Sequence, residues 1–247
     1  MENATTIALS RLIAQQRALD VTADNLANAG TPGYRAERML FSDWLAREPA
    51  RAEPPGGQTL SFTQDRATYR DRQPGTLRHT GNPLDLALGS PTGWFTVQTR
   101  SGPRLTRAGH FQLNATGQIV DSAGDALLDA NGRPLQLTPA DTQLSIAADG
   151  TLSSENGQIG RIGVVEPADE TKMSAEGGRL FSTTSPTSAV AAPQIVQGAI
   201  EDSNVQPIVE LNRMMDDLRE FQFTTQFVQG ESDRQSGAID KILKKGT

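Results

Sequence analysis

The two ends of this 247-residue chain carry heptad-spaced apolar residues, and the stretch between them does not. Leu12, Leu19 and Leu26 fall one heptad apart, with Leu9, Gln16 and Ala23 three residues before each. That is the a/d pattern of a helix that packs on another helix. Gly30, Thr31 and Pro32 end it, because Gly suits the position just past a helix and Pro cannot continue one. Near the other end, Leu211, Leu218, Thr225, Ser232 and Ile239 fill one seam position, and Met214, Phe221, Val228, Gln235 and Ile242 fill the other. Pro207 fits a first helical turn, and Asp202, Ser203 or Asn204 can cap it. Gln16, Thr225, Ser232 and Gln235 are polar seam positions, which weaken a helix pair but fix register and partner choice. A chain with an apolar stripe at each end pairs those ends with each other or with neighbouring copies. Two helices packed on the β-domain of a monomer are the plainer alternative.

Between the helices the sequence changes character. Residues 31–75 read as irregular, with an apolar island from Tyr34 to Leu45 and a Pro/Gly-rich linker from Glu48 to Gly57. Short strands are expected at 59–63 and 66–72. Residues 84–165 read as β-structure. Leu84, Leu86 and Leu88 alternate, as do Phe95 and Val97, then Phe111 and Leu113. Turn dipeptides punctuate them at Ser101-Gly102, Thr116-Gly117, Ala123-Gly124, Asn131-Gly132, Asp149-Gly150 and Asn156-Gly157. Such close spacing implies short antiparallel strands and not βαβ units.

Several function classes lose support. The net charge of −6 argues against a nucleic-acid binder. No apolar run reaches the ~18 residues that cross a bilayer, so no membrane insertion is expected. No cationic-then-apolar start resembles a cleaved signal peptide. With no cysteine, disulfides, thiolate metal sites and cysteine nucleophiles are excluded. His79 and His110 stand in no metal-ligand spacing, and Asp121 to Gly132 fails the calcium-loop order at Ala123 and Ala126. No phosphate loop, zincin helix or nucleophile elbow is present, so no catalytic residue, metal or cofactor is assigned. A hydrolase needs only two well-placed carboxylates, so among 29 acids that class stays open.

Three separated segments then carry a resemblance. Asn25-Leu26-Ala27-Asn28-Ala29-Gly30-Thr31-Pro32-Gly33-Tyr34 resembles the N-terminal N-x-A-N-x-x-T-x-G-[FY] ending of bacterial flagellar rod, hook and hook-associated axial proteins. Gly198-Ala199-Ile200-Glu201-Asp202-Ser203-Asn204-Val205, followed by a heptad helix, resembles the other end of that family. Leu105-Thr106-Arg107-Ala108-Gly109-His110-Phe111 is similar to its "YTRAGNF" strand, with Leu105 and His110 in place of the tyrosine and asparagine. Ile146 to Thr151 is similar to a later family turn. Length, the compact middle and the Pro32-Gly33-Tyr34 form are most similar to proximal-rod members, with distal-rod members the nearest rival.

The resemblance implies an α+β fold. Long N- and C-terminal helices (1–30 and 198–247) pair as a coiled-coil inner domain. A connecting segment (31–75), a central antiparallel β-rich outer domain (76–182) and a return linker (183–197) lie between them. It implies a structural, non-enzymatic subunit of the basal-body rod that stacks helically with copies of itself and other rod proteins, transmits torque through the periplasm and lines an export channel. The flagellar type III export apparatus is the implied partner during secretion. The expected subunit-interface residues are Leu9, Leu12, Leu19, Asn25, Leu26, Asn28, Leu211, Met214, Leu218, Phe221, Val228, Ile239 and Ile242. A wall hydrolase and a soluble module with an intramolecular helical hairpin are the competing readings.

Overall fold

A computed structural model of the chain describes residues 2–47, 59–177 and 179–245, with side chains other than those of 2–5, 41–67, 239, 240 and 242–245. The fold is α+β and divides into two compact units.

The first unit holds the chain to Leu26, residues 37–70 and the chain from Gln206. Helix α1 spans Glu2–Ala27 and helix α2 spans Pro207–Lys245, 39 residues long. Pro207 opens α2 as its missing N–H allows, and the Gln206 carbonyl accepts the Glu210 amide at 3.1 Å. Asp202, Ser203 and Asn204, read as candidate caps, lie upstream of this start and bond elsewhere. The Ser203 hydroxyl accepts from the Val205 amide, and Asn204 is committed to Ala36. Between the helices in sequence comes a hairpin of strands β1 (Glu37–Arg47) and β2 (Thr59–Arg70), antiparallel with a register shift at Leu40/Phe41. Within the segment 31–75, read as irregular with short strands at 59–63 and 66–72, the described residues instead hold one long strand at 37–47 and another continuous from 59 to 70. The sequence hid β1 because apolar residues bunch in Met39-Leu40-Phe41 and Trp44-Leu45 instead of alternating. The expected linker from Glu48 to Gly57 lies outside the described residues.

The second unit holds residues 27–36 and 71–205. Among the described residues it contains a nine-stranded antiparallel sheet centred on Trp94–Thr99, with Gly102–Thr106 on one side and Ala126–Leu127 and Val164–Pro167 on the other. Smaller ladders pair Leu86–Leu88 with Ile195–Gln197 and Leu77–His79 with Ala199–Glu201. The stretch 183–197, read as a return linker, contributes the strands Thr187–Ala189 and Ile195–Gln197. Its Ser/Thr/Ala-rich composition gave no strand pattern. All six punctuating glycines have positive φ, from 78° at Gly132 to 125° at Gly157, so the turns fall where the dipeptides placed them.

Phe95, Val97, Phe111, Ile119, Leu127, Leu152, Ile162 and Ile195 form the main core. Phe95 and Phe111 meet edge to face, with ring centres 5.7 Å apart. Leu86, Ala87 and Leu88 are all buried, so that strand is covered on both faces, and Leu113 is exposed. The acids of the rejected calcium loop are spent on turns. Asp121 accepts the amides of Ala123 and Asp125, and Asp129 those of Asn131 and Arg133.

Candidate subunit interface

In the first unit the two helices meet through polar side chains. Gln15 donates to Glu220 at 3.3 Å, Thr22 to Asp217 at 3.3 Å and Asn25 to Glu210 at 3.4 Å. Arg11 pairs with Glu220 at 3.6 Å. As the number rises on α1 it falls on α2, so these bonds join antiparallel segments. The facing residues repeat at three- and seven-residue intervals, but they are not leucines. The seven- and three-residue spacing of Gln15, Thr22 and Asn25 is the one sequence signal for this stripe, and the more conspicuous leucines mask it.

Glu210 is 1% exposed and is held by Arg38 at 2.9 Å and Arg213 at 3.1 Å, which answers the cost of burying its charge. Asn25 is fully buried. Its Nδ2 donates to the Glu37 carbonyl and its Oδ1 accepts the Glu37 amide, each at 2.8 Å. One signature asparagine thus ties α1, α2 and the base of the hairpin. Asp217 sits where burial, then the neighbouring Glu220 and Asp216, push its carboxyl above the ordinary range against the Thr22 hydroxyl bond.

The expected interface residues divide. Leu9, Leu211 and Leu218 are exposed at 55%, 47% and 42%. Leu12, Leu19, Leu26, Met214, Phe221 and Val228 are half-buried. Asn25 serves the node just described. Asn28 is in the second unit, where its Oδ1 accepts the Thr31 hydroxyl. The side chains of Ile239 and Ile242 lie outside the described residues. Exposed apolar residues not on that list join them: Ile13 on α1, and Ile208, Met215, Phe223 and Phe227 on α2. A cleft of about 730 Å³ opens along both helices, lined by Ile7, Ala8, Phe223 and Phe227 and edged by Arg11, Arg219 and Glu220.

In the second unit the three resembling segments converge. The Gly33 amide donates to the Glu201 carbonyl at 2.7 Å. Gly33 has φ +72°, and a Cβ there would lie 2.3 Å from the Arg107 carbonyl carbon, so no other residue fits. Arg107 is fully buried. It donates to Glu201 at 2.8 Å and to the carbonyls of Ser90, Pro91 and Gly93. Arg35, 2% exposed, stands 3.7 Å from the other Glu201 oxygen. Both guanidinium groups lie against the Trp94 ring, at 5.7 and 5.8 Å from its centre. Arg35 is the weaker member. Its Nε and Nη2 have no hydrogen-bond partner, and burial, then Arg107, pulls its pKa down to about 10. The resemblance of these segments does not by itself reveal the cluster they form. The available signal was a charge inside each apolar run: Arg107 after Leu105-Thr106 and Glu201 after Ala199-Ile200.

Comparison with known proteins follows the same three segments. Residues 6–35 match the family model described as flagella basal body rod protein. Residues 90–154 match that of the flagellar hook protein FlgE/F/G D1 domain, and residues 196–240 that of the flagellar basal body rod FlgEFG protein C-terminal. The flagellar basal-body rod protein FlgF of Caulobacter vibrioides is 32% identical over 99% of this chain and 99% of its own length. That of Salmonella typhimurium is 32% identical over 96% and 95%. The rod protein FlgG of Agrobacterium fabrum is 29% identical over 98% and 99%.

Proposed function

The chain belongs to the flagellar basal-body rod protein family, as a FlgF-like structural subunit of the rod, and from that premise we propose how it is held there. In the rod, α1 and α2 pair as a coiled-coil inner layer, and their outward apolar residues are the contacts with adjacent axial subunits. Leu9, Leu12, Leu19, Leu26, Leu211, Met214, Leu218, Phe221, Val228, Ile239 and Ile242 belong to this layer, with Asn25 and Asn28 fixing its connection to the chain that follows. The observation that carries the reading is the polar bonding between the helices while Leu9, Leu211 and Leu218 stay exposed. Leucines at heptad spacing left in water are unspent binding surface. Heterologous contacts between subunits propagate into a tube instead of closing into a dimer.

The role is mechanical: the subunit transmits torque through the periplasm and helps line the channel through which later subunits pass. The flagellar type III apparatus exports it. Catalysis is not part of this reading. Asp141 and Glu155 are held well below the ordinary range by hydroxyl and amide donors, which leaves these two unsuited to act as general acids. Isolation of basal bodies from cells carrying a tagged copy tests the reading. Co-purification of the chain with the rod is expected; its absence from rods that are otherwise complete overturns it.

A further inference from the structure

Arg35 is a buried cation with an unused hydrogen-bonding edge. Its Nε and Nη2 are both buried and have no hydrogen-bond partner. The N–H groups on those two atoms point the same way from the planar guanidinium, a fork that holds one anion by two bonds. The carboxylates near it are committed elsewhere. Glu201 accepts from Arg107 at 2.8 Å through one oxygen and from the Gly75 amide at 3.2 Å through the other, which stands 3.7 Å from Arg35, beyond hydrogen-bond reach. Glu170, whose charge also acts on Arg35, pairs with Arg72 at 2.9 Å. One buried carboxylate thus faces two buried guanidinium groups, and a positive charge is left uncompensated. Trp94, packed against both arginines, adds an indole Nε1 that is buried and has no acceptor.

We propose that the Arg35 fork binds a single halide ion, chloride in ordinary solution, beside the Trp94 ring. A halide is spherical, takes N–H donors from any side and brings the negative charge that the cluster lacks. A water molecule would accept the same bonds but leave the charge, and burying an uncompensated charge costs more than losing a neutral hydrogen bond. A phosphate or sulfate presents more oxygens than these two residues can satisfy, and buried acceptors are seldom left unmade. A partner protein's carboxylate is also excluded, because Nε and Nη2 lie inside the unit where only a small ion can follow a local opening. Bound there, the ion makes the stability of the second unit depend on halide concentration by mass action.

The chain has two tryptophans, so Trp44→Phe leaves Trp94 as the sole indole reporter. The full chain with this change, and the same chain with Arg35→Met or Arg35→Lys, is melted in sodium chloride, bromide and gluconate at equal ionic strength, which matches screening. Trp94 fluorescence is titrated with bromide, which quenches an indole on contact. The parent is expected to melt a few degrees higher in chloride or bromide than in gluconate, with saturation, and to show saturable quenching that chloride reverses. Arg35→Met is expected to lose both responses, and in gluconate to be at least as stable as its parent. Arg35→Lys keeps the charge without the fork and is expected to need at least tenfold more halide for the same response. Equal melting of the parent in chloride and gluconate, with quenching that does not saturate, indicates an adventitious ion only and overturns the proposal. A full halide response in either variant overturns the assignment to the Arg35 fork.

Discussion

Asn25 acts as a strand partner for Glu37: its amide accepts that residue's N–H and donates to its C=O, each at 2.8 Å, although Asn25 belongs to a helix. Replacement by Leu strands both backbone groups and the Glu210 carboxylate's bond. A buried unsatisfied polar group costs about 1–3 kcal/mol. Asn25→Leu is therefore expected to lower unfolding stability by at least that much in chemical denaturation. Unchanged stability would show that the node does not hold the hairpin base.

The Arg35–Glu201–Arg107 cluster gives two effects of opposite sign. Glu201→Gln leaves two buried guanidinium groups without a counter-charge, and breaking such a cluster costs about 3–5 kcal/mol. Arg35→Met removes a buried charge whose Nε and Nη2 bond to nothing, and is expected to be neutral or stabilising. Thermal denaturation of both variants checks this. Equal losses would mean that the Arg35 charge stabilises the cluster as much as the Glu201 carboxylate does.

Gly33 and Gly124 separate crowding from conformation. Both have positive φ, but an added Cβ at Gly124 meets nothing within 4 Å, whereas at Gly33 it meets backbone. Gly124→Ala is expected to cost about 1–2 kcal/mol, the strain of the left-handed region. Gly33→Ala costs more, since the chain must move apart where two family segments touch. Equal shifts in denaturation midpoint would contradict the close packing.

Asp217 gives the helix layer a pH dependence. Burial raises its folded-state pKa above the ordinary 3.8, so the folded state holds that proton more tightly than the unfolded chain does. Its contribution is fully present below about pH 4 and is lost as pH rises through the raised value. Asp217→Asn is expected to stabilise the layer at pH 7 by a fraction of a kcal/mol, because the site is only half-buried, and to do nothing at pH 3. Helicity followed against denaturant at both pH values reads the difference. A variant less stable at pH 7 would reverse the assignment.

The long periodic helices and the glycine turns were legible in the sequence because each rests on local physics: heptad spacing, a proline at a first turn, positive φ. The hairpin β1–β2 was not, since its apolar residues bunch and its pairing is set at a distance by Asn25. Nor was the choice of inner face on the helices. Leucine spacing marks a stripe that wants burial, but Gln15, Thr22 and Asn25 take the intramolecular side because α2 offers Asp217, Glu220 and Glu210 there. The junction cluster joins residues 35, 107 and 201, a separation that no local pattern reports.

The most direct test of the outward-stripe account is Leu218→Asp in a strain lacking the chromosomal copy, scored by basal-body isolation and swimming. Leu218 is 42% exposed in the isolated chain, so the substitution leaves the fold intact, which circular dichroism of the purified variant verifies. Buried between subunits, the new carboxylate must be desolvated or neutralised, at a cost of several kcal/mol repeated at every such contact. A folded variant that is absent from rods, in cells that do not swim, is the expected result. Complete rods containing the variant, in swimming cells, would contradict the account.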